Sequence, residues 1–117
     1  MTHTHQTSAL ANLTVIDMSR ILAGPFAAQN LADMGAKVLK IEHPNGDDTR
    51  KWGPPFVTRA DGSKDAAYYF CANRNKSNIA LDFTQAADRE RLLALIRNAD
   101  ILIENYKVGG LAKYGLD

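Results

Sequence analysis

The chain has 117 residues, 45% of them hydrophobic and 23% charged, which fits one soluble domain with a single core and excludes disorder over most of the length. Fourteen basic and thirteen acidic residues leave a net charge of +1, so charge gives no global case for a nucleic-acid or anionic-membrane partner. A single cysteine, Cys71, excludes an internal disulfide.

The opening "MTHTHQTS" has neither the basic nor the apolar region of a secretory signal, and residues 1–10 are expected to form a disordered polar tail. A cytoplasmic location is the resulting expectation. The longest apolar runs fall far short of the ~20 residues that cross a bilayer, so no membrane span is expected. His3 and His5 form an H-x-H without a third ligand, and no metal site is read from them.

"LTVID" (Leu13 to Asp17) is a short apolar run rich in β-branched residues, which suits a strand covered on both faces. Gly24 and Pro25 then open a helix, with Pro25 at the first helical position and an apolar stripe through Ala27, Leu31 and Met34. Gly35 supplies the left-handed residue that ends it. "KVLKIE" (Lys37 to Glu42) reads as a second strand, so the order strand, helix, strand predicts a right-handed parallel unit.

The stretch from His43 to Lys64 holds three of the four prolines, Gly46, Gly53, Gly62 and many charges, and reads as a long loop, of a length that is either functional or disordered. "DAAYYFCANRN" (Asp65 to Asn75) is expected to be a short aromatic helix in which Cys71 is a small buried hydrophobe. "SNIALDF" reads as a third strand, followed by a helix with Thr84 as N-cap and Leu92, Leu93, Ile96 and Ala99 in its stripe. "DILIEN" is a fourth strand, and "KVGGLAKYGLD" a short helix or turn. The fold expected is α/β and Rossmann-like, a mainly parallel sheet of four strands with flanking helices. Its ending on a loop makes residues 11–117 look like the front part of something larger.

Which ligand such a unit takes depends on its first loop. A dinucleotide fingerprint needs G-x-G-x-x-G, and although Glu42 fits the acidic position, the loop offers only Gly24 followed by proline. "SRILAG" still leads into a helix start and carries Arg20, which reads either as an anion site or as a plain surface side chain. "NRNKSN" places Arg74 and Lys76 between amides, which reads as a solvated turn unless other evidence makes it a phosphate-holding group. Arg20, His43 and Asn105 all fall at the carboxyl ends of strands, where open α/β sheets bind ligands.

Taken together, "VIDMSRILAGPFAAQNLADMGAKVLKIEHPNGDDTRKWGPPF", "YYFCANRNKSNIALDF" and "ADILIENYKVGGLAKYGL" closely resemble the N-terminal portion of class III CoA-transferases, the family of L-carnitine dehydratase and bile-acid-inducible protein. The resemblance runs from about Leu13 to Asp117. It implies a Rossmann-like fold that holds coenzyme A, with acyl-CoA and a carboxylic acid as substrates, no covalently bound cofactor, and a homodimer for the full-length protein. It assigns Arg20, Ile21, Leu22 and Ala23 to the segment lining the CoA pocket, His43 to the nucleotide end of CoA, and Lys76, Asn105, Tyr106 and Lys113 to further contacts. His43 is a weaker cation than the basic residue common there, Lys113 stands where arginine is common, and Val108 replaces a proline.

The resemblance further implies a catalytic aspartate that attacks the acyl-CoA thioester, passing through an anhydride and an enzyme-CoA thioester. That residue belongs to a later segment, and no aspartate here matches it, so no catalytic residue is assigned and the isolated chain is expected to be inactive. "LAGPFAAQNLADMGAKVLKIEHP" and "GDDTRKWGPPFV" look most like the branch using succinate, glutarate and related dicarboxylates. Two alternatives stand beside this reading: an α-methylacyl-CoA racemase-type enzyme on the same fold, which tends to lack "DDTRKWGPPF" and "NRNK", and a non-catalytic CoA-binding module.

Overall fold

The computed structural model describes residues 7–117. In chain order it contains β1 (Thr14–Asp17), α1 (Ala23–Asp33), β2 (Lys37–Glu42), a 3-10 turn (Asp48–Lys51), β3 (Phe56–Thr58) and β4 (Lys64–Ala66). There follow α2 (Ala67–Phe70), β5 (Ser77–Ala80), α3 (Ala86–Arg97), β6 (Ile101–Ile103) and a second 3-10 turn (Ala112–Tyr114).

Four strands form a parallel sheet in the order β5-β2-β1-β6, with Val15 opposite both Val38 and Ile101, and Ile41 opposite Ile79. Successive side chains of a strand point to opposite faces, so β1 and β2 feed two cores. Val15 and Val38 pack with Ala28, Ala32 and Ala36 on the α1 side. Ile16, Met18 and Ile41 pack with Leu81, Leu92, Leu111 and Leu116 on the other. Burial on both faces is why these strands read as continuous apolar runs rather than alternating ones. The α/β, Rossmann-like expectation is met.

α1 starts at Ala23, two residues before the expected start, and the Phe26 N–H donates to the Leu22 carbonyl at 2.8 Å. Pro25 thus sits inside the first turn, where its missing N–H removes no helical bond. The expected stripe is displaced: Pro25, Ala28, Gln29 and Ala32 are buried, while Ala27 and Met34 face solvent. Small residues on the inner face let the helix lie close to the sheet. Gln29 is accommodated there because its amide donates to the Cys71 carbonyl at 3.1 Å and accepts from the Arg74 N–H at 2.7 Å. Gly35 has φ +102°, the left-handed helix end expected of it.

The long loop contains structure of its own. β3 and β4 form an antiparallel hairpin pairing Phe56 with Ala66 and Thr58 with Lys64, closed by a turn in which the Arg59 N–H donates to the Ser63 carbonyl at 2.8 Å. Because Asp65 and Ala66 belong to that hairpin, the aromatic helix shrinks to Ala67–Phe70. Cys71 is exposed at its end rather than buried.

β5 stops at Ala80 because the chain turns at Asp82, whose Oδ1 accepts from the Thr84 N–H at 3.0 Å and hydroxyl at 2.6 Å. Gln85, not Thr84, is the N-cap of α3. Leu92 of α3 is buried, with Leu93, Ile96 and Ala99 packed around the same core. His3 and His5 lie outside the described residues. The tail expected through residue 10 is already anchored at Leu10, whose N–H donates to the Met34 carbonyl at 3.0 Å and whose side chain packs against the α1-side core.

Candidate functional site

A pocket of about 380 Å³ opens beyond the carboxyl ends of β1, β2 and β5, lined among others by Arg20, Lys40, His43, Asp47, Phe83 and Tyr106. This is where open parallel sheets present ligand sites, because the loops leaving the strands diverge there. Its volume lies within the roughly 300–1,000 Å³ of small-molecule sites.

The loop between β1 and α1 forms one wall. Ser19 is buried, and both its N–H, at 2.9 Å, and its hydroxyl donate to Asp17 Oδ1. The Arg20 main chain is clasped by one side chain: its N–H donates to Asn105 Oδ1 at 2.9 Å and its carbonyl accepts from Asn105 Nδ2 at 2.7 Å. Ile21 has φ +71°, a left-handed conformation that is rare for a β-branched residue, and its N–H donates to Asp47 Oδ2 at 3.3 Å.

The Arg20 guanidinium lies over the Tyr106 ring, 4.4 Å from its centroid. It is exposed and has no ion-pair partner among the described residues, so it remains available to an anion. Phe83 meets Tyr106 edge-on at 5.6 Å between centroids. Burial pushes the Tyr106 hydroxyl above its ordinary value.

The charges behind this wall are matched in pairs. Lys40 and Asp47, each 1% exposed, lie 3.2 Å apart. Burial alone would raise the Asp47 carboxyl, but the Thr49 N–H and hydroxyl and the Lys40 charge outweigh it and hold the group low. Burial likewise opposes ionisation of Glu42, yet Arg50, the Asp47 N–H and Asn78 together hold its carboxyl at about 2. Arg50 also donates to Asp65 at 2.7 Å and lies 3.8 Å over the Tyr69 ring. Burial beside Glu42 pushes the Tyr69 hydroxyl up to about 12.

Of the residues singled out in the sequence, Arg20, His43 and Tyr106 meet in the pocket, and Asn105 fixes Arg20 from outside it. His43 stands at the rim, its Nδ1 accepting from the Asn45 N–H at 3.0 Å and its Nε2 lying 3.7 Å from Asp82. Ile21, Leu22 and Ala23 continue the loop into α1 without lining the pocket; Leu22 and Ala23 are exposed. Lys113 sits apart on the second 3-10 turn, 5.0 Å over the Tyr114 ring.

Lys76 lies outside the pocket lining. Its side chain is 2% exposed, and its ammonium donates to Asp17 Oδ2 at 2.8 Å, the Pro25 carbonyl at 2.8 Å and Asn73 Oδ1 at 3.0 Å. All three donors of the ammonium are used, which leaves none for a ligand. Lys40 and Asp47 went unnoticed in the sequence. The signal was there in a lysine within the apolar run "KVLKIE" and in the D-x-T spacing of Asp47 and Thr49, which predicts a side-chain turn.

A family model described as CoA-transferase family III matches residues 10–117. The chain belongs to this family. Over 110 residues it is 54% identical to a succinate–glutarate CoA-transferase from Agrobacterium fabrum, a match covering 92% of this chain and 28% of the relative. It is 43% identical to the human succinyl-CoA:glutarate CoA-transferase, covering 92% of this chain and 24% of that protein. The crystal structure of a CAIB/BAIF family protein from Brucella suis superposes with a TM-score of 0.92 at 50% identity, over 96% of this chain and 29% of that one. This family III chain therefore spans under a third of the length of each of these relatives.

Proposed function

We propose that this family III chain supplies the coenzyme A-binding part of an enzyme that moves CoA between an acyl-CoA and a carboxylic acid, the acids being dicarboxylates such as succinate and glutarate. The observation that carries the reading is the unpaired Arg20 guanidinium, held over Tyr106 at the mouth of the pocket beyond the strand ends. CoA presents phosphates at one end and an apolar, amide-bearing arm at the other. Arg20 offers forked donors to phosphate, while Phe83 and Tyr106 offer apolar surface. The names of the Agrobacterium and human relatives support the choice of acids.

Covalent acyl transfer needs a carboxylate free to attack a thioester. Asp17, Glu42, Asp47 and Asp65 are buried and hydrogen-bonded to Lys76, Arg50, Lys40 and Arg59 respectively, so none of these four is a free nucleophile. In this reading the described residues bind CoA and the attacking group comes from elsewhere in the enzyme. In this reading the enzyme acts in the cytoplasm and is a homodimer, and the exposed apolar side chains Trp52, Phe56, Val57 and Phe70 on and beside the hairpin support the dimer alone.

Calorimetric titration of CoA into the protein and into its Arg20→Ala variant tests the proposal. The expected result is saturable binding that weakens about tenfold or more in the variant. No binding of CoA, or equal binding by both proteins, would overturn it.

A further inference from the structure

We infer that the buried Lys40–Asp47 pair is a positioning device that holds Ile21 in its left-handed conformation and so presets the loop carrying Arg20. The inference rests on the coenzyme A reading above, since it concerns how that same loop is made ready for its ligand.

One carboxylate oxygen joins the parts. Asp47 Oδ2 accepts from Lys40 Nζ at 3.2 Å and from the Ile21 N–H at 3.3 Å, while the same Nζ donates to the Ser19 carbonyl at 3.2 Å. The main-chain groups on either side of Arg20 are thus gripped from β2 and the segment after it, and those of Arg20 itself by Asn105. The carboxylate cannot swing away. Its Oδ1 accepts from the Thr49 N–H at 3.0 Å and hydroxyl at 2.8 Å, and the Asp47 N–H donates to Glu42 Oε1 at 2.7 Å.

Two physical arguments separate this role from mere stabilisation. A buried ion pair contributes little more than well-packed apolar residues of the same volume, so stability alone does not account for placing one here. A β-branched residue at φ +71° persists only where its surroundings impose the conformation, and Asp47 is the group that receives its N–H. Holding the loop in the bound shape beforehand removes an ordering cost from ligand binding.

The test is CoA affinity by calorimetry for the unaltered protein, Asp47→Asn, Ile21→Asn and the double variant, at a temperature where each is folded by circular dichroism. Asparagine enters the left-handed region readily, so at position 21 it removes the need for a clamp. Asp47→Asn is expected to weaken CoA binding about tenfold when Ile21 is present and less than about threefold in the Ile21→Asn background. If Asp47→Asn leaves Lys40 buried without a partner and unfolds, Lys40→Met combined with Asp47→Asn removes both charges and takes its place. A folded protein lacking the pair that binds CoA as the unaltered protein does, or an equal loss in both backgrounds, overturns the inference. Failure of the unaltered protein to bind CoA overturns the coenzyme A reading itself, before any variant is compared.

Discussion

Lys76 and Asp17 form an ion pair sealed from solvent, their charged atoms 2.8 Å apart and their side chains 2% and 0% exposed. Asp17 ends β1, and Lys76 immediately precedes β5, so the pair ties the first strand to the edge of the sheet beneath α1. Removing one partner leaves the other charge buried alone. Lys76→Met is therefore expected to cost about 3–5 kcal/mol of stability, and adding Asp17→Asn to recover most of it. Urea unfolding of the two variants checks this. A Lys76→Met protein as stable as its parent would contradict the burial described here.

Acid stability should follow Glu42. Its folded-state value of about 2 lies below its ordinary 4.5, so the stabilisation is fully present above about pH 5 and is lost progressively as pH falls toward 2. The group is 6% exposed in its side chain, and its contribution is on the order of 3 kcal/mol. Urea midpoints measured from pH 6 to pH 2 should fall less steeply for Glu42→Gln than for the unaltered protein, although the variant starts lower. Parallel curves would show that another carboxylate dominates the acid limb.

Gly24 is fixed by a close approach rather than by its backbone angles. A Cβ placed there collides with the Ser19 side chain, which is buried and bonded to Asp17. Gly24→Ala is expected to lower stability by about 1–3 kcal/mol, as overpacking does, and Ser19→Gly to relieve part of that loss. Thermal unfolding of the single and double variants measures both effects; additive losses would deny the contact.

Much of this architecture was legible in the residues. β2 runs from Lys37 to Glu42 as its apolar run implied, and Gly35 ends α1 as a left-handed residue. Other parts were not legible, for identifiable reasons. Ala27, Leu31 and Met34 define a stripe by size, whereas close helix-to-sheet packing selects Ala28 and Ala32. The β3–β4 hairpin has three-residue strands, and β3 is wholly exposed, which leaves little apolar pattern to read, although Asp61-Gly62 is a turn signal.

The site divides the same way. Arg20, His43 and Tyr106 converge because all three follow strand ends, a matter of topology that strand order alone conveys. Lys76 is open in sequence between a ligand contact and a turn residue, and its enclosure by Asp17, Pro25 and Asn73, distant along the chain or across a turn, becomes visible only in the fold. Lys40 and Asp47 are seven residues apart and meet only because the chain folds back after β2.

The pocket bounded by Arg20, His43 and Tyr106 is proposed to receive coenzyme A. Backbone amide shifts of the isotopically labelled protein, recorded during titration with CoA, test it most directly. The largest changes are expected on residues 19–22, 43–47 and 105–106, with the β3–β4 hairpin unaffected. Changes centred on the hairpin or on the outer face of α3, or none at saturating CoA, would contradict it.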